Sequence, residues 1–260
     1  MNLFQAIILS FVEGITEFLP VSSTGHLILA SKVLGIVQTE FVKSFEIFIQ
    51  LGAILGVVIL YKNILIKNKK VLTNIFAAFL PTAMIGLIFY KIIKSYLLGN
   101  AFITVITLFA GGIVLIFVEK LLKYKQNLQT EIEKIGFPQS IGIGLIQSLS
   151  VVPGVSRSAA SIIGGMILGL NKTTAVEFSF LLAIPTVFAA TALDLVKSKL
   201  SFSLQEIILL AVGFLFSFLF SMFGIKLLIK VTEKYSFAIF GVYRIILALV
   251  FYFFLISTSN

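Results

Sequence analysis

Glu13-Gly14-Ile15-Thr16-Glu17-Phe18-Leu19-Pro20-Val21-Ser22-Ser23-Thr24-Gly25-His26 lies in the middle of an apolar stretch that runs from Leu3 to Leu34. Two carboxylates, four hydroxyls, a proline and a histidine are costly to hold between flanks suited to lipid, and Pro20 stops one helix from running through. The stretch therefore reads as a helix, a turn and a second helix. A second interrupted stretch, Pro138 to Leu170, carries Val152-Pro153-Gly154-Val155-Ser156-Arg157-Ser158 at its centre and reads the same way. Each is expected to dip into a membrane and return to the side it came from. Irregular backbone at that depth survives only where protein or a wet cavity satisfies its amides.

Working outward, the rest of the chain is more apolar than a soluble domain can be: 59% of its 260 residues are hydrophobic and 12% charged, with a mean hydropathy of +1.12. Six segments have the length and composition of full spans: Phe41 to Tyr61, Leu72 to Ile92, Ala101 to Val118, Thr173 to Leu195, Leu204 to Leu227 and Phe237 to Leu255. The first apolar run has no basic flank and leads into Glu13 and Glu17, so no cleavable signal is expected there. The absence of cysteine excludes disulfides and thiolate ligands. A net charge of +9 could suggest nucleic acid, but the lysines sit in short loops between apolar runs, as membrane topology requires.

The order of elements is dip, span, span, span, and then the same again. Laying Gln5 over Gln139 also brings Ile7 onto Ile141, Ser22 onto Ser156, Leu34 onto Leu168 and Gly35 onto Gly169. Residues 1–260 are thus expected to form one all-α polytopic membrane domain built from two repeats, 1–125 and 136–260. Because each half has an odd number of spans, the second is inverted relative to the first. Lys62, Lys67, Lys69, Lys70, Lys120, Lys123, Lys125, Lys134, Lys172, Lys226, Lys230 and Lys234 fall on one side of this topology. Lys32, Lys43, Lys91, Lys94, Lys197 and Lys199 fall on the other. Twelve against six makes the first side cytoplasmic and opens the first dip to the outside.

The chemistry is concentrated in the two dips. Glu13 and Glu17 are four apart, so they share a helix face, and their mutual repulsion calls for a cation, a shared proton or a nearby arginine. A hard divalent cation, Mg²⁺ or Ca²⁺, would suit both carboxylate and phosphate oxygens. After Pro20, the hydroxyls of Ser22, Ser23 and Thr24 gather where a new helix starts near Thr24, and exposed amides at such a start bind anions. An ordinary helix cap explains one hydroxyl, but not His26 on the first turn within reach of Ser23, an arrangement suited to a nucleophile and its base. In the second dip Gly154, Ser156 and Ser158 repeat the pattern around Arg157, whose planar fork matches phosphate oxygens. Two such tips facing each other would enclose a phosphate and supply a nucleophile, a proton acceptor and charge neutralisation. Glu46 and Glu177 are expected to shape the cavity or to pair with Arg244 or Arg157. Gly111-Gly112 and Gly164-Gly165 read as close-packing sites, and the 27 phenylalanines mainly as lipid-facing bulk.

The stretch from Glu13 to His26, together with Pro153 to Ser158, resembles the two signature motifs of the bacterial undecaprenyl-diphosphate phosphatases, also called bacitracin resistance proteins. The similarity in length and span order covers the whole chain. One departure is Ala159-Ala160-Ser161 after the second motif, where that family usually has Gly-Ala-Thr. The resemblance implies hydrolysis of undecaprenyl diphosphate to the monophosphate, recycling the lipid carrier of peptidoglycan synthesis. It further implies a divalent cation and a site facing the outer side of the plasma membrane. By position it makes Ser23 the nucleophile, His26 its base or acid, Glu13 and Glu17 the acidic pair and Arg157 the phosphate clamp. Whether Ser23 is itself phosphorylated or orients a water stays open at this level. Membrane lipids and a second copy of the chain are the further partners admitted. The strongest rival is a lipid flippase or secondary transporter, which uses the same inverted-repeat architecture but has no need for Ser23 beside His26. A channel is disfavoured by the asymmetry of the two tips.

Overall fold

The computed structural model describes residues 1–92, 96–97, 100–122, 128–198 and 202–257. Lys94, Lys123, Lys125 and Lys199, and with Lys125 the expected end of the first half, lie outside the described residues. Apart from one isolated bridge between Gln129 and Leu170, the regular structure among the described residues is helical. A short helix α1 (Leu3–Thr16) is followed by α2 (Ser23–Val33), α3 (Glu40–Leu60), a surface turn α4 (Lys62–Lys67), α5 (Lys69–Ile88), a single turn α6 (Tyr90–Ile92) and α7 (Ala101–Leu122). Short helices come again in α8 (Phe137–Gln147) and α9 (Arg157–Ile167), then α10 (Lys172–Ser198), α11 (Leu204–Lys234) and α12 (Ala238–Ser257).

Six of these, α3, α5, α7, α10, α11 and α12, are long and apolar enough to cross a membrane. The chain is therefore a multi-pass membrane protein by length and composition of its helices. Several boundaries shift from the expected ones: α5 starts at Lys69 in place of Leu72, and α7 runs on to Leu122 in place of Val118. The second span ends at Ile88 rather than Ile92, where Phe89 closes the helix before the single turn α6. The fifth continues to Lys234, so Lys226, Lys230 and Lys234 lie on the last turns of α11 and not in a loop. Cations near a helix C-terminus complement its dipole, which favours the extension.

α1, α2, α8 and α9, at 11 to 14 residues, are too short to cross about 30 Å of hydrocarbon at 1.5 Å per residue. Their local geometry repeats at the spacing read from the sequence. Gln5 and Gln139 each donate to the carbonyl that ends the next helix, Leu34 O at 3.1 Å and Leu168 O at 2.7 Å. Ser22 and Ser156 are the N-caps of α2 and α9, and Gly35 and Gly169 both take positive φ after those helices. α1 packs along α11 while α8 packs along α5, so each short pair leans on a span from the other half.

The main core forms where α3, α5, α8, α9 and α10 meet, around Phe18, Ile143, Ile162, Phe178 and Phe180. Several phenylalanines are therefore interior fill rather than lipid-facing bulk, because broken helices leave gaps that a flat ring fills. α7 and α12 run side by side, and a Cβ added at Gly112 would stand 2.7 Å from the Gly241 carbonyl oxygen. Gly164 and Gly165 likewise sit against Ile146 and Ala175, in keeping with the close packing expected of them. Replacing Gly112 by valine is expected to push α12 away and to destabilise by about 1–3 kcal/mol, the usual penalty of overpacking. A lowered thermal midpoint in detergent, with Gly86→Val unchanged because nothing lies within 4 Å of that site, is the result to look for.

Candidate active site

Both turns that separate the short helices are held in a conformation that L side chains avoid. Ser22 (φ 70°) and Ser156 (φ 76°) are the non-glycine residues with positive φ among those described. Each such residue costs on the order of 1–3 kcal/mol and persists only where its surroundings fix it. The fixing comes partly from the side chains themselves. Ser22 Oγ accepts from the Gly25 amide at 3.4 Å, and Ser156 Oγ accepts from the Ala159 amide at 3.2 Å. The serines thus turn the chain sharply and cap the first turns of α2 and α9. Gly154, at φ 88°, passes so close to Thr104 and Thr107 of α7 that a Cβ there would overlap the Thr107 hydroxyl. Thr107 Oγ1 in turn donates to the Pro153 carbonyl at 2.5 Å.

The two turns meet. Arg157 Nε donates to Glu17 Oε1 at 3.2 Å, Nη1 to the Ser179 carbonyl at 2.9 Å, and Nη2 to the Glu17 carbonyl at 3.5 Å. The guanidinium also lies 5.9 Å from the centre of the Phe18 ring. Ser158 Oγ donates to the Leu19 carbonyl at 2.7 Å, a second tie from the C-terminal turn to the N-terminal one. Ser23 Oγ donates to Glu17 Oε2 at 2.6 Å. Glu17 therefore carries Arg157 on one oxygen and Ser23 on the other, and both Glu17 and Ser23 are only 7% exposed.

The expected pairing of Ser23 with His26 is not the one found. His26 Nδ1 is 2.8 Å from the Ser22 carbonyl and its Nε2 is 2.6 Å from Tyr243 Oη, so both ring nitrogens are engaged elsewhere. Helix geometry explains this: three residues on from Ser23, the imidazole reaches back to the carbonyl of Ser22 one turn earlier. Thr24 stands half-buried on the first turn of α2, while Ser156 and Ser158 bond each other at 3.0 Å.

Of the two roles open to Glu46 and Glu177, pairing with Arg244 is not found. Fully buried on α12, Arg244 donates to five carbonyls: Pro20 in the first turn, Gly154 and Val155 in the second, and Thr107 and Leu108 on α7, at 2.8 to 3.3 Å. Glu46 accepts instead from Ser31 at 2.8 Å and Gln38 at 3.1 Å, and neither arginine takes Glu177. Arg244 and Tyr243 are the residues that sequence reasoning undervalued. A signal existed for the first, since the chain has only two arginines and both lie at membrane depth.

Glu13, one helical turn before Glu17, is completely buried and neither of its oxygens has a partner. A buried carboxylate without donors needs a proton or a cation, so its oxygens fit a hard divalent ion. Among the described residues no group of three or more Asp, Glu or His converges on one point. Two carboxylates with substrate oxygens completing the shell are the ordinary arrangement for Mg²⁺.

A guanidinium, a hydroxyl bonded to a carboxylate and two helix N-termini are parts that suit a phosphoryl group. The comparisons with known proteins agree with that chemistry. The family model for bacitracin resistance protein BacA matches residues 6–250. An undecaprenyl-diphosphatase from Aquifex aeolicus is 50% identical over 251 residues, 96% of this chain and 98% of the relative. Undecaprenyl-diphosphatases from Wolinella succinogenes and Methanococcus aeolicus are 46% and 41% identical, covering 98% and 96% of this chain and 99% and 97% of their own lengths. With the match running through both turns and all six candidate spans, the chain belongs to the bacitracin resistance protein family.

Proposed function

We propose that this protein hydrolyses undecaprenyl diphosphate to undecaprenyl phosphate and inorganic phosphate. It would thereby recycle the lipid carrier of peptidoglycan synthesis and confer bacitracin resistance. The observation that carries the reading is Glu17, which accepts from Ser23 and Arg157 at once and so joins a nucleophile from one turn to a phosphate-binding cation from the other. The two broken helix pairs are re-entrant segments of an inverted repeat, a reading supported by their shortness, their repeated capping and their crossed packing on α11 and α5. The lysine distribution supports a site facing the outer side of the bacterial plasma membrane.

In the reaction, Ser23 Oγ attacks the terminal phosphorus as its proton passes to Glu17 Oε2. The bond to the bridging oxygen breaks, lipid monophosphate departs, and water then releases phosphate from the serine. Arg157 spreads positive charge over the phosphoryl oxygens, with the hydroxyls of Ser22, Thr24, Ser156 and Ser158 and the Gly154 turn as further binding groups. Glu13 and Glu17 are the residues that would hold a divalent cation, which would supply Lewis-acid charge neutralisation at the diphosphate. A flippase or transporter built on this fold would move labelled lipid across vesicles without splitting it.

Purified protein with Mg²⁺ or Ca²⁺ is expected to release inorganic phosphate from a polyprenyl diphosphate. Ser23→Ala and Arg157→Ala should each cut kcat by at least about 100-fold, the scale of losing one transition-state partner. Undiminished turnover by both variants would overturn the site. Arg244→Lys keeps the charge but offers three donors in place of five. It should destabilise by on the order of 3 kcal/mol and lose activity, read as a lower thermal midpoint alongside phosphate release. Glu13→Gln should weaken divalent-cation binding at least about tenfold by calorimetry, as expected when one of two carboxylate ligands is removed. Equal affinity in the two proteins would remove Glu13 from the cation site.

A further inference from the structure

His26 and Tyr243 lie 217 residues apart in the chain and meet at the rim of the site, Tyr243 being 44% exposed. Their rings are nearly parallel, 8° between planes with centroids 5.6 Å apart, and His26 Nε2 is 2.6 Å from Tyr243 Oη. The other nitrogen, Nδ1, faces the Ser22 carbonyl at 2.8 Å. A carbonyl oxygen can only accept, so Nδ1 carries the hydrogen. In the neutral ring Nε2 is then the acceptor, and the Tyr243 hydroxyl donates to it. Tyr243 precedes Arg244 on α12, and Arg244 ties that stretch of the helix to both turns. The imidazole is thus fixed in one tautomer and pointed at a hydroxyl on α12, while Ser23 is already served by Glu17.

We propose that Tyr243 is a positioning residue, holding His26 as the acid–base partner of the departing lipid phosphate rather than of Ser23. The inference rests on the diphosphatase reading and deepens it. When the Ser23 oxygen–phosphorus bond forms and the bridging phosphorus–oxygen bond breaks, the electron pair leaves on the bridging oxygen of the lipid monophosphate. The neutral ring first takes a proton from the medium at Nε2, where Tyr243 Oη turns from donor to acceptor; the imidazolium Nε2–H then gives that oxygen its proton, and the ring returns to the neutral Nδ1–H form. Nδ1–H stays on the Ser22 carbonyl throughout, which keeps the strained turn and the proton donor in one rigid unit.

His26 is the only histidine in the chain, so its ring nitrogens can be read without overlap. Protein labelled with ¹⁵N-histidine in detergent micelles is expected to show a single tautomer, protonated at Nδ1, by long-range proton–nitrogen correlation. Tyr243→Phe keeps the ring stack and removes the donor. It should yield a mixture with the Nε2–H tautomer and a kcat about tenfold lower at a KM within about threefold, short of the roughly 100-fold loss of a positioned acid itself. Both readouts have to move; a change in either one alone, or in neither, overturns the positioning role. Aryl phosphates of graded leaving-group basicity separate the two duties of His26. The loss in His26→Ala should shrink as the leaving group becomes less basic, and an equal loss across the series would return the imidazole to Ser23. The tautomer is measured without turnover, so failure of the wild-type protein to release phosphate would sink the diphosphatase reading separately.

Discussion

A single buried guanidinium organises the centre of this molecule. Arg244 has no carboxylate within ion-pair distance among the described residues and spends its donors on five backbone carbonyls drawn from three places. Three of them, Pro20, Gly154 and Val155, lie in turns that cannot complete a helical ladder, because Pro20, Gly154 and the positive φ of Ser22 and Ser156 break it, while Thr107 and Leu108 lie within α7. In a bilayer no water replaces the missing partners, and each orphan would cost several kcal/mol. Arginine is suited to the task, since it stays charged, is weakly hydrated and presents five donors in one plane. Through these bonds α12 ties the two turns together, and the contacts from Arg157 to Glu17 and from Ser158 to Leu19 join them a second time.

Around this anchor the site divides its duties between two arginines and two carboxylates. Arg244 binds backbone and is sealed from solvent; Arg157 binds Glu17 and is 11% exposed. Glu17 has both oxygens occupied, while Glu13, one turn away, has neither. The same residue type thus meets two environments one helical turn apart, hydrogen-bonded on both oxygens at Glu17 and buried without a donor at Glu13. The strained serines cap the two helices with their own side chains, Ser22 at the Gly25 amide and Ser156 at the Ala159 amide, while Ser23 Oγ turns to Glu17.

The second half of the chain keeps the frame of the first but not its chemistry. Gln147 stands where Glu13 stands in the first half, buried against Thr82 and Thr186, and Ala160 stands where His26 does. Ser23, His26 and two carboxylates thus lie on the N-terminal side and Arg157 on the C-terminal one, an unequal division between two halves of similar local geometry. Asymmetry of this kind distinguishes the diphosphatase reading from a carrier whose halves would alternate.

Much of this was legible in the residue order. Spans are written locally, as windows of about 20 apolar residues, and so are the breaks, because proline, glycine and clustered hydroxyls act on their own backbone. The choice of Ser23, Glu17, Glu13 and Arg157 followed from the expense of such groups in lipid. The partners could not be read this way. Arg157 meets Glu17 across 140 residues, Arg244 meets Pro20 across 224 and His26 meets Tyr243 across 217. Proximity of His26 and Ser23 in sequence suggested a pair, yet the helix turned the ring toward Ser22 and Tyr243 instead. Local propensity fixes which segments are helix and where they stop; which side chains face each other depends on how α7, α9 and α12 pack, and packing is a property of the whole assembled chain.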